Sequence, residues 1–382
     1  MNAMYLDNNA STPMLPAVWE AMQPFLCDRP GNPASSHRFG RQARQALENA
    51  RERIADLLDA SPDEVLFTSG ATEANNLAIF GLAGANAGTV VTTPIEHPCV
   101  LEPIRRLAEQ GFTVTELPVT TIGTVAVDAE IFRDDVRFVA VMLANHETGA
   151  LQPIEALVRV LSAQAPFHCD AAAAAGKIPI SFHKLGVSTL TISAHKFHGP
   201  KGIGALLVRR GAKLRPLHFG GHQQHGRRPG TEPVPLAVGM ARALEWSLQN
   251  LEANRAVLLD LRRRLLAFLR EHAAPVILNG PDDGGLPHAL NLSFPGCQAD
   301  ALLMSLDLAD VACSTGSACS SGSLLPSPVL AAMGKTGDVL NSAMRFSLSP
   351  LLTGAEVDEA ARRIAQCVKK LRIGAAAEGT GS

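Results

Sequence analysis

Short β-branched runs alternate with amphipathic stretches along most of this chain, and that alternation restricts the fold more than any other feature. Residues 65–68, 89–93, 136–143, 167–170, 189–193 and 204–208 are mostly apolar or β-branched. Each is four to eight residues long and stops near Gly, Pro, Ser or Asp. Helical patterns lie between many of them. After Ser36, the residues Phe39, Ala43, Leu47, Ala50, Ile54 and Leu58 recur at steps of three or four, with Arg, Gln and Glu on the other face. Strand–helix alternation of this kind predicts an α/β unit around a mainly parallel central sheet flanked by helices. Ligands of such sheets bind beyond the carboxyl ends of the strands, so polar residues just after these runs carry the most functional weight.

The chain has 382 residues, 46% of them hydrophobic, enough for one large domain with a smaller partner. The texture changes near Pro235. A stretch over 236–271 reads as one long bridging helix, interrupted only by Gly239. Strands at 289–294 and 344–348 and a final helix over 355–371 follow it. The expected division is a large domain over 15–247 and a smaller α+β domain built from 1–14 and 248–382. The smaller one carries a mobile Ser/Gly-rich loop at about 312–323, and its tail, 374–382, is expected to fray. Lys and Arg total 34 against 36 Asp and Glu, so no basic field exists to hold nucleic acid, and at 4% aromatics a base-stacking surface is not expected. No apolar run approaches the ~20 residues of a membrane span, and no secretory signal is visible, so a cytoplasmic protein without membrane contact is expected. Seven cysteines, an odd number with no Cys-x-x-Cys pair, argue against a disulfide framework or a zinc site, and no metal is expected.

Two strand ends carry chemistry. Ser193-Ala194-His195-Lys196 follows the apolar run 189–192, and Phe167-His168-Cys169-Asp170 ends in a carboxylate. An amine at the mouth of a parallel sheet suits a Schiff base with an aldehyde cofactor or carbonyl substrate. Pyridoxal phosphate (PLP) needs such a lysine and an acidic partner for its ring nitrogen. On spacing alone, a helix-capping Asp beside an unrelated lysine remains open. Thr68-Ser69-Gly70-Ala71-Thr72-Glu73 joins a strand to a helix, where small residues and free amides suit a phosphate. An ordinary capped helix start would read the same way.

These and further motifs together resemble the cysteine desulfurases of the NifS/IscS group, fold-type I PLP enzymes of the class V aminotransferase superfamily. The resemblance runs in order from Tyr5-Leu6-Asp7-Asn8-Asn9-Ala10 to about Arg372. It passes through Asn32-Pro33-Ala34-Ser35-Ser36-His37, Gly70-Ala71-Thr72, Glu96-His97 and Asn145-His146-Glu147-Thr148-Gly149. It continues through His195-Lys196, Arg228-Pro229-Gly230-Thr231, Ser317-Ala318-Cys319-Ser320 and Arg345-Phe346-Ser347-Leu348. It implies that Lys196 holds PLP and later moves protons, that Asp170 pairs with the ring nitrogen, and that His97 stacks on the ring as an acid/base group. Ala71, Thr72, Ser193 and His195 would bind the phosphate, with Thr231 from the other subunit of a homodimer, and His146 would lie by the 3-oxygen. Arg345 would grip the substrate carboxylate, with Asn145 also at the substrate. Cys319 would take sulfur from L-cysteine as a persulfide, leaving L-alanine, and pass it to a protein acceptor such as an iron–sulfur scaffold or a thiolation enzyme. Cys313 would resolve, assist or pack, while Cys27, Cys99, Cys169, Cys297 and Cys367 are expected to pack.

The chain departs from the group at four positions. His146 stands where most relatives have a second Asn, and Ala173 where they usually have Gln. Both amides lie near the 3-oxygen in relatives. The larger His146 is expected to compensate by donating to that oxygen from a ring nitrogen. Gln224 and His225 replace a usual Glu–Arg pair. Rival readings are a selenocysteine lyase, in which Cys319 would be dispensable, and a degenerate member acting as an interaction partner.

Overall fold

A computed structural model of the chain describes residues 3–84, 86–132, 135–161, 165–316 and 326–379. Chain order begins with β1 (Met4–Tyr5), α1 (Pro16–Cys27), α2 (Arg38–Leu57), β2 (Val65–Thr68), α3 (Ala71–Ala83), β3 (Thr89–Thr92) and α4 (Pro98–Glu109). Next come β4 (Thr113–Glu116), β5 (Val136–Ala140), α5 (Ile154–Leu161), β6 (Phe167–Asp170), α6 (Phe182–Leu185), β7 (Thr189–Ser193) and β8 (Gly204–Val208). The rest comprises α7 (Val234–Gln249), α8 (Leu251–His272), β9 (Ile277–Leu278), β10 (Ala289–Ser293), α9 (Ala299–Leu308) and β11 (Val311–Ala312). The chain closes with α10 (Pro328–Ala332), α11 (Gly337–Asn341), β12 (Ala343–Ser347) and α12 (Gly354–Gly379).

Seven strands form the main sheet in the order β2-β8-β7-β6-β5-β3-β4. β7, β6, β5, β3 and β4 pair in parallel, while β8 runs antiparallel to both β7 and β2. Every residue of β6, β7 and β8 is buried, as expected of a sheet covered on both faces. The two-residue alternation of strands divides the core. Phe67, Val91, Val139, Leu190 and Leu207 pack with Leu47 and Ile54 of α2 and Met240 and Leu244 of α7. Val90 and Phe138 face the opposite way, against Ile79 of α3 and Val100 and Ile104 of α4, and Leu66 and Leu206 meet Leu77 and Ala78 of α3. A separate core joins Leu290 and Leu292 of β10 to Leu265 of α8 and Ile364 of α12. β12, β10 and β9 form an antiparallel sheet there, and β1 pairs in parallel with β11.

The predicted α/β fold with a mainly parallel sheet is the observed one, with local differences such as these. The long helix over 236–271 is two helices, α7 and α8, meeting at Asn250, whose side-chain amide donates to Trp246 O at 2.8 Å. An Asn closing one helix and opening the next leaves no Gly or Pro signature. β5 stops at Ala140 rather than at 143, although the Val141 and Leu143 amides still donate to His168 O and Asp170 O. β4 was not foreseen, because Thr-Val-Thr-Glu on a half-exposed edge presents no apolar run. α12 continues to Gly379, past the 374 boundary of the expected frayed tail.

Candidate active site

The carboxyl ends of β2, β5, β6 and β7, with the turns after them, open into one cavity of about 540 Å³. Asp170 is the last residue of β6, and Lys196 follows the neighbouring β7 by three residues. Both line the cavity, as do Ala71, Thr72, His97, His146, Ser193 and His195. Eight of the twelve residues singled out from the sequence therefore meet in one place.

The Asp170 carboxylate is held from two sides. Asn75 Nδ2 donates to Oδ2 at 2.7 Å, and the Ala172 amide donates to Oδ1 at 2.9 Å. Asn75 Oδ1 lies 3.1 Å from His168 Nε2, and His168 Nδ1 is 2.9 Å from Thr189 Oγ1. Burial pushes the His168 pKa down to about 3, so this ring is a neutral strut. Lys196 Nζ donates to the carbonyls of Asn9 and Ala10.

His97 caps α4. Its Nδ1 accepts from the Cys99 amide at 3.1 Å and lies 2.9 Å from Cys99 Sγ. With Nδ1 as acceptor, the neutral ring carries its proton on Nε2. Burial lowers the His97 pKa against the opposing Asp170 charge, and the Lys196 and Arg345 charges lower it further. Cys99, expected to pack, lines the cavity and accepts from Asn75 Nδ2 at 3.0 Å. Cys27, also expected to pack, is exposed. Cys313 does pack, and burial pushes its thiol up to about 12.

The first turn of α3 begins at Gly70 with no side-chain cap, leaving helix-start amides free toward the cavity. Gly204 makes this possible, because a Cβ there would fall 2.8 Å from the Gly70 carbonyl carbon and 2.7 Å from Ile192 O. Ser193 Oγ is buried with no partner among the described residues. His195 stands beside it in sequence, its pKa pushed down to about 4 by burial and by Lys196, Lys177 and Lys201. An orphaned hydroxyl, an uncapped helix start and nearby Lys201 form a cradle that fits a phosphate. Lys196 and Asp170 supply the amine and carboxylate that the rest of PLP requires, so the residues present fit that cofactor. Glu73 sits under this turn. Burial opposes its ionisation, but hydrogen bonds from Arg228 and Ser69 outweigh that and hold its carboxyl down at about 2.

Four sequence candidates are placed differently. Thr231 is exposed and away from the cavity of its own chain. Arg345 lies behind the cavity wall, its Nη2 2.8 Å from Asp7 Oδ1 and its Nη1 3.4 Å from His146 O. Asn145 is fully buried, and its side chain builds the turn instead: Oδ1 accepts from the amides of Glu147 and Thr148, both at 2.9 Å, and Nδ2 donates to Ile95 O. Cys319 lies outside the described residues. His146 lines the cavity with Nδ1 buried and unpartnered among the described residues, its pKa lowered well below the ordinary value by burial and then by His97, Arg345 and Lys196. Gln224 pairs with both backbone groups of Phe67 (2.6 and 2.7 Å) on the free edge of β2, work that a charged Glu could not do symmetrically. Sequence reasoning passed over Asp7 and Asn75, whose roles depend on contacts hundreds or scores of residues away.

Comparison with known proteins adds a consistent set of likenesses. The sequence model of the family described as Aminotransferase class-V matches residues 4–359. A cysteine desulfurase IscS of Dictyoglomus turgidum is 41% identical over 375 residues, covering 97% of this chain and 95% of its own. A cysteine desulfurase of Nostoc sp. is 43% identical over 377 residues, covering 97% and 94%. A solved structure described as a NifS-like protein superposes with a TM-score of 0.91 at 36% identity, covering 96% of this chain and 100% of its own.

Proposed function

The chain belongs to the class-V aminotransferase family and acts as a cysteine desulfurase; we propose that it does so with PLP in the cavity described above and with Cys319 as the first sulfur acceptor. The observation that carries this reading is that Asp170 and Lys196, at and just beyond the ends of adjacent parallel strands, open into one cavity with the uncapped start of α3 and the orphaned Ser193 hydroxyl. The α3 amides, Thr72, Ser193 and His195 would hold the phosphate, Asp170 the ring nitrogen, His97 the ring face and Lys196 the aldehyde carbon. When bound, PLP supplies an aldehyde that takes up amines and a protonated ring that draws electrons from the substrate's α-carbon.

The remaining work belongs to the protein. Asn75 and the Ala172 amide fix Asp170 so that it faces a single direction. Lys196 Nζ would hold the cofactor's aldehyde end and would be the base that takes the substrate's α-proton. His97 presents its Nε2 side, because Cys99 occupies Nδ1. The substrate carboxylate would compete with Asp7 for Arg345, a bidentate donor. Sulfur transfer then balances without an external oxidant. The Cys319 thiolate forms an S–S bond to the substrate sulfur as the Cβ–S bond breaks. Cβ keeps that electron pair and gains a proton, giving L-alanine, while the two sulfurs share the matching oxidation as a persulfide.

Further parts of the proposal concern assembly and destination. Thr231, exposed in its own chain, would complete the phosphate site of a second copy in a homodimer. A protein sulfur acceptor, of the iron–sulfur scaffold or thiolation type, would take the persulfide in the cytoplasm. The test is to load the purified protein with PLP, add L-cysteine, and follow alanine and the mass of the Cys319 peptide. One added sulfur on that peptide is expected in the wild type and not in Cys319→Ser. A PLP-loaded wild type that makes neither alanine nor persulfide overturns the proposal.

A further inference from the structure

Cys99 has a thiol that the reaction scheme leaves unused. It is the second residue of α4, and its amide donates to His97 Nδ1 at 3.1 Å, which caps the helix. The backbone makes that contact, so an alanine at 99 would keep it. The thiol makes two more. Asn75 Nδ2 donates to Sγ at 3.0 Å, and Sγ lies 2.9 Å from His97 Nδ1. Cys99 and His97 both line the cavity, and the fully buried Asn75 joins Cys99 to Asp170.

The hydrogen-bond roles in this cluster are fixed from both ends. A carboxylate only accepts, so Asn75 turns its amide nitrogen toward Asp170 and leaves Oδ1 to His168 Nε2, 3.1 Å away. That nitrogen has two hydrogens: one goes to Asp170 Oδ2 at 2.7 Å, the other to Cys99 Sγ. At the other end, His97 Nδ1 accepts from the Cys99 amide and so carries no proton. The contact between Sγ and Nδ1 therefore needs the thiol hydrogen, and the S–H donates. Donation runs one way, from Asn75 to Cys99 to His97. Two donors thus converge on Nδ1, the only atom where a ring already protonated on Nε2 can take a second proton.

We propose that Cys99 is a positioning residue: its thiol, oriented by Asn75, holds His97 as a neutral ring protonated on Nε2 and keeps Nδ1 closed to a second proton. This rests on the functional reading for the place of His97 on the cofactor's face; the contacts themselves precede any ligand. Other groups act on the same ring. Burial opposes its charged form most, Asp170 at the end of β6 favours it, and Lys196 beyond β7 and Arg345 of β12 oppose it. His146, after β5, meets it edge to face with ring centroids 5.2 Å apart and is itself neutral. The preceding Glu96 turns its Oε1 to Thr93 and the Met142 amide instead, and α3 presents the uncharged Asn75. The thiol joins the side that keeps His97 neutral, because a hydrogen bond to the neutral form disfavours the charged one.

The experiment follows His97 in the full chain with isotope-labelled histidines, its signals identified by their loss in His97→Gln. In the cofactor-free wild type the nitrogen resonances should show Nδ1 unprotonated. Cys99→Ala is expected to raise the titration midpoint of His97 by roughly half a unit to one unit. Cys99→Ser, which keeps a donor at that place, should return most of the shift. Cys99→Val, closer to cysteine in volume, is a second variant without a donor should Cys99→Ala fail to fold. With PLP bound, the pH profile of the spectral change on adding L-cysteine should move in Cys99→Ala and stay near the wild type in Cys99→Ser. A proton on Nδ1, a midpoint unmoved by alanine and valine, or a Cys99→Ser shifted as far as they are overturns the proposal. A PLP-loaded wild type that does not respond to L-cysteine overturns the functional reading instead, and the cofactor-free titration still decides the role of the thiol.

Discussion

The surroundings of Asp170 and those of Ser193 and His146, all lining one cavity, are built on opposite plans. Around Asp170 the protein supplies the partners itself, in the chain Asp170, Asn75, His168, Thr189. At Ser193, His146 and the start of α3 it withholds them: Ser193 Oγ and His146 Nδ1 are buried and bare among the described residues, and α3 starts without a side-chain cap. A buried polar atom without a partner costs about 1–3 kcal/mol, so such atoms collect where a ligand will satisfy them. Satisfied atoms hold a charge in place before the ligand arrives; bare ones hold a place for it.

Glu96 tests that contrast hardest. It belongs to the surroundings of Asp170 and does not line the cavity, yet its Oε2 has no partner among the described residues. Its Oε1 accepts from Thr93 Oγ1 at 2.8 Å and from the Met142 amide at 2.9 Å. A proton resolves the exception. Burial, aided by the Asp170 charge, outweighs these hydrogen bonds and raises the Glu96 pKa to about 8. The ordinary value is 4.5, so between the two the unfolded chain releases a proton that the folded protein keeps. The stability this group gives is full below the ordinary value and drains away as pH rises toward about 8, at up to ~1.4 kcal/mol per unit. Glu96→Gln mimics the protonated acid, so its advantage over the wild type should grow by a few kcal/mol from pH 5 to pH 8 in denaturant titrations. A difference that stays flat with pH would mean that Glu96 is ionised and that the satisfied surroundings contain a real gap.

Asn75→Ala comes next in size. It strips one of the two side-on contacts from Asp170 and leaves His168 Nε2 bare. The expected loss is about 2 kcal/mol of stability, equal in cofactor-free and cofactor-loaded protein, because the contact exists before the ligand does. Ser193→Ala should behave in the opposite way. Removing an already orphaned hydroxyl leaves cofactor-free stability unchanged or slightly raised, while affinity for PLP falls about tenfold. Pyridoxal without the phosphate should bind both proteins equally. If Ser193→Ala destabilises the cofactor-free protein as much as Asn75→Ala does, the two surroundings are not built on different plans.

That contrast also marks what could be read before the structure. Strands β2, β6, β7 and β8 fall at the residues their short runs suggest, since strands buried on both faces are rich in apolar and β-branched residues. Asp170, Ser193 and Lys196 were legible because strand ends in such a sheet point to one crevice. Asn75 was not, because it sits mid-helix in α3 and acquires meaning only when that helix packs over β6 and its side chain reaches Asp170, 95 positions on. Asn145 misled for a related reason: an amide in a motif looks like a ligand, whereas its oxygen here accepts from two amides of its own turn. Cys99 followed the usual burial habit of cysteine, yet its amide is what turns His97. Local chemistry was visible in the sequence, and partnerships across elements were not.

The smallest expected effect falls on His146, where the chain departs from its relatives. The bare Nδ1 of His146 and the short side chain of Ala173 line the same cavity. Burial, followed by the charges of His97, Arg345 and Lys196, keeps this ring neutral, which gives it one nitrogen that donates and one that accepts. If Nδ1 is the nitrogen that serves the cofactor's 3-oxygen, His146→Asn alone should leave that contact weakened. The pH midpoint of the visible absorbance of the loaded protein should then shift by roughly half a unit. Adding Ala173→Gln to His146→Asn should return the midpoint toward the wild type, while Ala173→Gln alone should crowd the ring and move it the other way. If all three variants titrate like the wild type, the bare Nδ1 serves no ligand, and the set of reserved atoms shrinks to the phosphate cradle at Ser193.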